Sequence, residues 1–402
     1  MVTSFFQFSV RTVVNSGAGA RSLLPEMMKG LGGKRAVLYV DKGITQAGIT
    51  NKIKELFDIV PGAVQLVGIF EDIEQDAKGE IINRGAKFFN ECNGDTLIAV
   101  GGGSVLDTVK AIKWMLHKKV SDIREVLLVG NKMEFWPEAE YIPIPHIAIP
   151  TTAGTGAEVS PVAVILNEIA GIKTNLLNPF ISADMAILDP ELTVGLPPKI
   201  TAFTGFDALT HAIEAYFSPQ SNPMADAYAL QSIRMIVKNL QTAVHDGQNI
   251  AARANMLMAS TMAISAFCLS LNAVPVHNMA HALGAKFNIP HGLANAVLLP
   301  NVMESLSPFY LKRIHGFAEA LGLNDVPAKA EDCLEEVISF IRDLRIKVGL
   351  PDTFAEFNVN IENMAYIVAK VHSDPSGLFF TIPPEVIAKV SIEVSGTSLG
   401  VS

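Results

Sequence analysis

A chain of 402 residues is too long for one ordinary hydrophobic core and predicts two domains. With 49% hydrophobic and 18% charged residues it belongs with buried globular sequences, which argues against disorder. A net charge of −9 argues against the basic face that nucleic-acid binding needs. The three cysteines, Cys92, Cys268 and Cys333, form no CxxC pair, which speaks against a disulfide framework and fits a reducing cytoplasm.

The N-terminus has no basic segment followed by a long apolar run, so no signal peptide is expected. In chain order, β-rich runs then stand at 35–40 (ending at Asp41), 63–70, 95–100, 146–150 and 162–166, with helical patterns interspersed. Such alternation implies a parallel sheet covered on both faces. The run at 95–100 leads directly into Gly101-Gly102-Gly103-Ser104 and a helix from Val105 to Leu116. Glycines there let backbone N–H groups approach a phosphate, and the helix N-terminus adds partial positive charge. Ser104 is expected to cap the helix and to donate to the ligand.

Asp41 has two local readings, a helix cap or a contact to the adenosine ribose hydroxyls; in the second it also repels a 2′-phosphate, favouring NAD over NADP. The loop from Pro150 to Glu158, with Thr151, Thr152 and Thr155, suits nucleotide contacts or helix capping equally.

After residues 195–198 (GLPP) the pattern turns helical. The expected organisation is an α/β domain over 1–197 with a parallel nucleotide-binding sheet, and an all-helical domain over 198–402. From Ala254 to Ala285 no Asp, Glu, Lys or Arg occurs, but Ser260, Asn272, Pro275 and His277 interrupt the run, so a buried core helix is expected and no membrane span.

Histidine spacing is the strongest local signal. His277 and His281 share one helix face, and His291 follows after a turn with Pro290 and Gly292. Upstream, Asp207 and His211 repeat the one-turn spacing, with Glu214 just beyond as a supporting acid. A buried aspartate is costly unless paired or metal-bound. One Asp with three His suits a divalent iron, zinc or similar ion.

Taken together, GGGSVLDTVK (101–110), PTTAGTGAEVS (150–160), LDPELTVGLPP (188–198), GFDALTHAIEAY (205–216) and HNMAHALGAKFNIPHG (277–292) resemble the successive motifs of the iron-containing (group III) alcohol dehydrogenases, in order and spacing, over roughly residues 5–370. The resemblance implies a dehydroquinate synthase-like architecture and NAD(P)-linked oxidation of an alcohol, or reduction of an aldehyde or ketone, by hydride transfer. It implies Asp207, His211, His277 and His291 as ligands of Fe²⁺, with Zn²⁺ as the alternative, and His281 as a catalytic residue near the nicotinamide. Asp41 would face the adenosine ribose, and Gly102, Gly103, Ser104 and Asp107 the pyrophosphate and nicotinamide region. Thr151, Thr152 and Thr155 would meet adenine and phosphate, and Lys173 the nicotinamide ribose. A homodimer or larger assembly follows from the same likeness.

The chain also departs from the family pattern. The stretch 267–276 lacks the expected glycines, Asp374-Pro375-Ser376 stands in the region of an Asn-Pro-Arg element, and Glu74-Gln75-Asp76-Ala77 replaces a proline-containing turn. Dehydroquinate-synthase-like chemistry is the alternative, but no basic phosphate-binding cluster is found for it. Glycerol-dehydrogenase-like chemistry departs at the Asp-x-x-x-His pair.

Overall fold

The structure is a computed structural model that describes residues 6–59, 62, 64–128, 130–360, 362 and 364–396. The chain divides into two compact units, residues 9–196 and residues 197 onward, the latter joined by the segment ending at Phe8.

Among its described residues the first unit carries ten strands: β1 (Val13–Ser16), β2 (Arg35–Asp41), β3 (Gln65–Ile73), β4 (Ala77–Lys78), β5 (Thr96–Gly101), β6 (Lys132–Met133), β7 (His146–Pro150), β8 (Val162–Asn167), β9 (Ile172–Leu177) and β10 (Met185–Leu188). Six of them form a parallel sheet in the order β1-β10-β7-β5-β2-β3. Alternate residues of β2 enter opposite cores. Ala36, Leu38 and Val40 join Ile98, Val100, Ile147 and Ile149, while Val37 and Tyr39 join Leu97, Ala99 and Ala148. The two-sided burial is what the unbroken apolar runs require.

The run at 162–166 is not part of this sheet. It forms β8 of a second, four-stranded sheet, β4-β8-β9-β6, and pairs antiparallel with β9. Its burial alternates, as in a half-covered hairpin strand, and the short turn with Gly171 at φ 65° leaves no room for the crossover that parallel pairing needs.

The helix after β5 is α1 (Gly103–Lys118), and it buries two lysines. Lys113 Nζ donates to Ser182 O at 3.1 Å and Asp184 Oδ2 at 3.2 Å, and Lys110 Nζ pairs with Asp107 Oδ1 at 2.7 Å and reaches the carbonyls of Ser160 and Val162. Burial lowers the Lys113 pKa, partly opposed by Asp184. His146, 1% exposed, is held well below its usual 6.5 by burial first and by Lys113 and Lys110 next.

A pH prediction follows from His146. The folded chain keeps it neutral while the unfolded chain binds a proton below 6.5. The depressed folded pKa means that its stabilisation is present above 6.5 and is lost as the pH falls, by about 1.4 kcal/mol per pH unit. Urea unfolding at pH 6.5, 5.8 and 5.0 should give a shallower loss for His146→Gln than for wild type, and equal slopes would contradict the assignment.

The second unit is helical: α2 (Pro198–Phe217), α3 (Pro223–His245), α4 (Ile250–Leu269), α5 (Pro275–Phe287) and α6 (His291–Ser305), then Ser307–Leu311, Ile314–Leu321, Ala330–Lys347, Met364–Ser373 and Pro384–Ser395. Helix α2 packs on α3, α4 and α6 and is buried almost all round from Gly205 to Phe217. The charge-free stretch is two helices, α4 and α5, separated at Ser270–Val274, with Pro275 opening α5 where a missing N–H does no harm. Among the described residues α4 alone is long and apolar enough to cross a membrane by length and composition, and 56% of its apolar window is buried inside the protein. The Phe8 ring stacks on Tyr228 of α3, with centroids 6.3 Å apart.

Candidate metal centre and nucleotide loops

Three helices each contribute a pair of polar residues one turn apart: Asp207 and His211 on α2, His277 and His281 on α5, His291 and Asn295 on α6. The start of α6 reaches α2 because residue 292 is glycine. A Cβ there would lie 2.3 Å from the Phe203 carbonyl oxygen. The contact places His291 Nε2 3.3 Å from Asp207 Oδ1. His277 Nε2 is 3.6 Å from the same oxygen, and the His211 and His277 rings stack at 4.4 Å. One donor atom from each of Asp207, His211 and His277, all buried, lies within 4.8 Å of the others.

Glu214, 2% exposed, sits one turn beyond His211 and faces α5. Its Oε1 accepts the Val276 N–H at 2.6 Å, in the first turn of α5, and its Oε2 hydrogen-bonds His277 Nδ1. With Nδ1–H held by Glu214, Nε2 is the nitrogen aimed at Asp207, and it can bind a cation once its own proton leaves. The carboxylate also lies at the positive end of the α5 dipole.

The electrostatics ask for a cation. Burial works to raise the Asp207 pKa, yet His211, His291 and His277 hold it well below 3.8. Burial drives His211 down to about 3, against the pull of Asp207. Burial also opposes charge on His277, but Glu214 and Asp207 outweigh it and raise it to about 9. His211 Nδ1 is buried with no hydrogen-bond partner. One carboxylate and three imidazoles, with no thiolate, form a donor set that fits divalent iron or zinc.

His281 lies beside this group, its ring 5.1 Å from His291 and 6.1 Å from His277, and is 22% exposed. Its Nδ1 is 3.4 Å from Asp374 Oδ1, in the segment that replaces the Asn-Pro-Arg element. Phe267 forms an apolar wall, 4.9 Å from the His211 ring and 5.2 Å from His277. Asn295 escaped the sequence reading. The available signal was one amide within the apolar run Leu293-Ala294-Asn295-Ala296-Val297, and it is fully buried.

In the first unit the two glycine-containing loops meet. A Cβ on Gly103 would lie 2.8 Å from Thr155 Cγ2, and one on Gly102 would lie 3.4 Å from Thr152 Cγ2. Thr151 is buried and its N–H donates to Gly101 O at 3.0 Å. Ser104 is not the cap of α1. The cap position is Gly102, and the Ser104 Oγ accepts the Asp76 N–H at 3.1 Å instead. Val105 and Leu106 N–H donate to Gly102 O at 3.0 and 3.1 Å, so helix geometry leaves the N–H groups of Gly103 and Ser104 for a ligand. Asp41 does cap the short helix Lys42–Gln46, through Ile44 N–H to Oδ1 at 2.9 Å. Asp107 braces α1, pairing with Lys110 and accepting Val164 N–H at 3.1 Å, and Lys173 pairs with Asp76 at 2.8 Å.

The Gly102–Thr152 and Gly103–Thr155 spacings predict unequal effects. Gly103→Ala drives a methyl into Thr155 and should weaken NADH binding about tenfold or more, whereas Gly102→Ala meets an ordinary contact and loses less. Fluorescence titration with NADH checks this, and equal losses would contradict it.

Residues 12–190 match the family model described as iron-containing alcohol dehydrogenase, and residues 201–381 match the one described as Fe-containing alcohol dehydrogenase family, C-terminal. The chain is 34% identical over 369 residues to 1,3-propanediol dehydrogenase of Klebsiella pneumoniae, covering 92% of this chain and 93% of that protein. A solved structure of a 1,3-propanediol oxidoreductase superposes with a TM-score of 0.85 at 32% identity, covering 97% of this chain and 100% of the other. Sulfoacetaldehyde reductase from Bifidobacterium kashiwanohense, solved in complex with NAD+, superposes with a TM-score of 0.85 at 25% identity, covering 98% and 100%. The chain belongs to the iron-containing alcohol dehydrogenase family.

Proposed function

We propose that this protein interconverts a small alcohol and its aldehyde with NAD as hydride carrier, at a divalent cation held by Asp207, His211, His277 and His291. The convergence of these four side chains from three helices carries the reading. Fe²⁺ is the preferred occupant and Zn²⁺ the alternative. A cation held there would supply Lewis acidity toward the substrate oxygen.

The chain's own residues do the rest. Glu214 fixes the His277 ring so that Nε2 faces Asp207. His281, oriented by Asp374 and partly exposed, takes the hydroxyl proton in oxidation and returns it in reduction. Phe267 gives the substrate an apolar wall, which suits a short carbon chain. Gly102, Gly103 and the first turn of α1 receive the pyrophosphate, beside Ser104, Asp107, Thr151, Thr152 and Thr155. Lys173 serves the nicotinamide ribose. Asp41, with Oδ1 engaged as a cap, turns its charge to the adenosine ribose and disfavours a 2′-phosphate. The named relatives act on propanediol and sulfoacetaldehyde, and one was solved with NAD+, which supports this substrate class and carrier.

We further propose a cytoplasmic homodimer or larger assembly. Three free cysteines support the compartment, and β1 at a sheet edge, with Val13 54% exposed, supports association.

The experiment is NADH oxidation against a panel of short and medium aldehydes, using metal-stripped, Fe²⁺-loaded and Zn²⁺-loaded protein prepared without oxygen. Turnover that requires the metal supports the reading. Absence of turnover with either metal, while NADH binds, contradicts it.

A further inference from the structure

Asn295 lies one turn after His291 on α6 and is 0% exposed. Its Nδ2 stands 2.7 Å from Asp207 Oδ1, 3.2 Å from His277 Nε2 and 3.4 Å from His291 Nε2. The donors themselves show similar separations, 3.3 Å from Asp207 Oδ1 to His291 Nε2 and 3.6 Å to His277 Nε2. Asn295 therefore occupies a corner of the same cage and does not sit behind it. The other end of the amide, Oδ1, is buried with no hydrogen-bond partner.

An amide has two ends of nearly equal shape and opposite use. The NH₂ donates to lone pairs, and the carbonyl oxygen offers lone pairs to a cation. A half-turn about χ2 exchanges them within the same volume. Resting on the metal reading above, we propose that Asn295 is a reversible further donor of the centre. In metal-free protein its NH₂ donates to Asp207 Oδ1 beside His277 and His291, and when metal binds, its Oδ1 turns to the cation. An added neutral oxygen favours Fe²⁺, which accepts nitrogen and oxygen donors in open, higher-coordinate sites, over Zn²⁺, which prefers four donors.

The test titrates metal-stripped full-length protein with Fe²⁺ under argon and with Zn²⁺, read by competition with a chromophoric chelator, for wild type, Asn295→Leu and Asn295→Asp. Leucine keeps the branched shape without a donor; aspartate keeps the shape with oxygen at both ends. The expected result is that Asn295→Leu binds Fe²⁺ about 10–100-fold more weakly and Zn²⁺ with a smaller loss. Asn295→Asp should bind Fe²⁺ at least as tightly as wild type, although it has lost the NH₂. Fe²⁺ affinity within about threefold of wild type in Asn295→Leu, or a loss in Asn295→Asp as large as the leucine loss, overturns the proposal. Thermal unfolding of the metal-free variants identifies a leucine variant that fails to fold, in which case the aspartate variant decides. Wild type that binds neither metal overturns the reading of the centre itself, and this inference with it.

Discussion

Asp207→Asn is expected to lower kcat/KM for aldehyde reduction by about 1,000-fold, equivalent to about 4 kcal/mol of transition-state stabilisation. The change is nearly isosteric, so packing survives, but the one charged donor among the imidazoles is gone. Asp207 is 2% exposed, and its Oδ1 faces His277, His291 and Asn295 at 3.6, 3.3 and 2.7 Å. A carboxylate with so little water around it persists only if neighbouring positive charge compensates it. Removing it should leave the protein folded and poor in metal. Metal content by mass spectrometry and steady-state rates check this together. Near-wild-type turnover with bound metal would show that Asp207 is not a donor.

Glu214→Gln is expected to weaken metal binding about 10–100-fold while restoring most activity at saturating metal. Glu214 spends both oxygens on α5, one on Val276 N–H and one on His277 Nδ1. Glutamine has one oxygen for two donors, so either the helix end or the imidazole loses its partner. If His277 loses it, Nδ1 and Nε2 compete for the proton and the cage loses a lone pair part of the time. Metal titration followed by rates at each metal concentration separates affinity from turnover. Unchanged affinity would mean that His277 is held by packing alone.

Much of this was legible in the sequence, for identifiable reasons. The strand at 146–150 has the bounds expected, because an apolar run framed by Pro145 and Pro150 admits little else. The parallel sheet is legible where burial on both faces writes continuous apolar runs, as in β2 and β5. Strands β1 and β10 were not, because four residues carry no period and their strand state rests on pairing, β1 with β10 and β10 with β1 and β7. The second sheet was hidden for a similar reason, since β4 and β6 have two residues each. Asp207 and the histidines stood out because polar groups in charge-poor helices need partners. Asn295 did not, because a neutral amide makes a weaker demand and its neighbours come from distant segments, 88 residues away for Asp207. Glu214 was visible as an acid near the site, but its partner His277 lies 63 residues on and only the fold joins them. Ser104 was misread because α1 begins at Gly103, one residue before it, and its hydroxyl is taken by Asp76.

The most direct test of the central claim is isotopic. Fe²⁺-loaded protein is incubated with NAD+ and 1-propanol deuterated at the carbinol carbon, and the NADH formed is weighed by mass spectrometry. Metal-assisted hydride transfer from alcohol to NAD predicts NADH carrying deuterium, formed with Fe²⁺ and not after metal removal. Unlabelled NADH, or equal formation in stripped protein, would contradict the account.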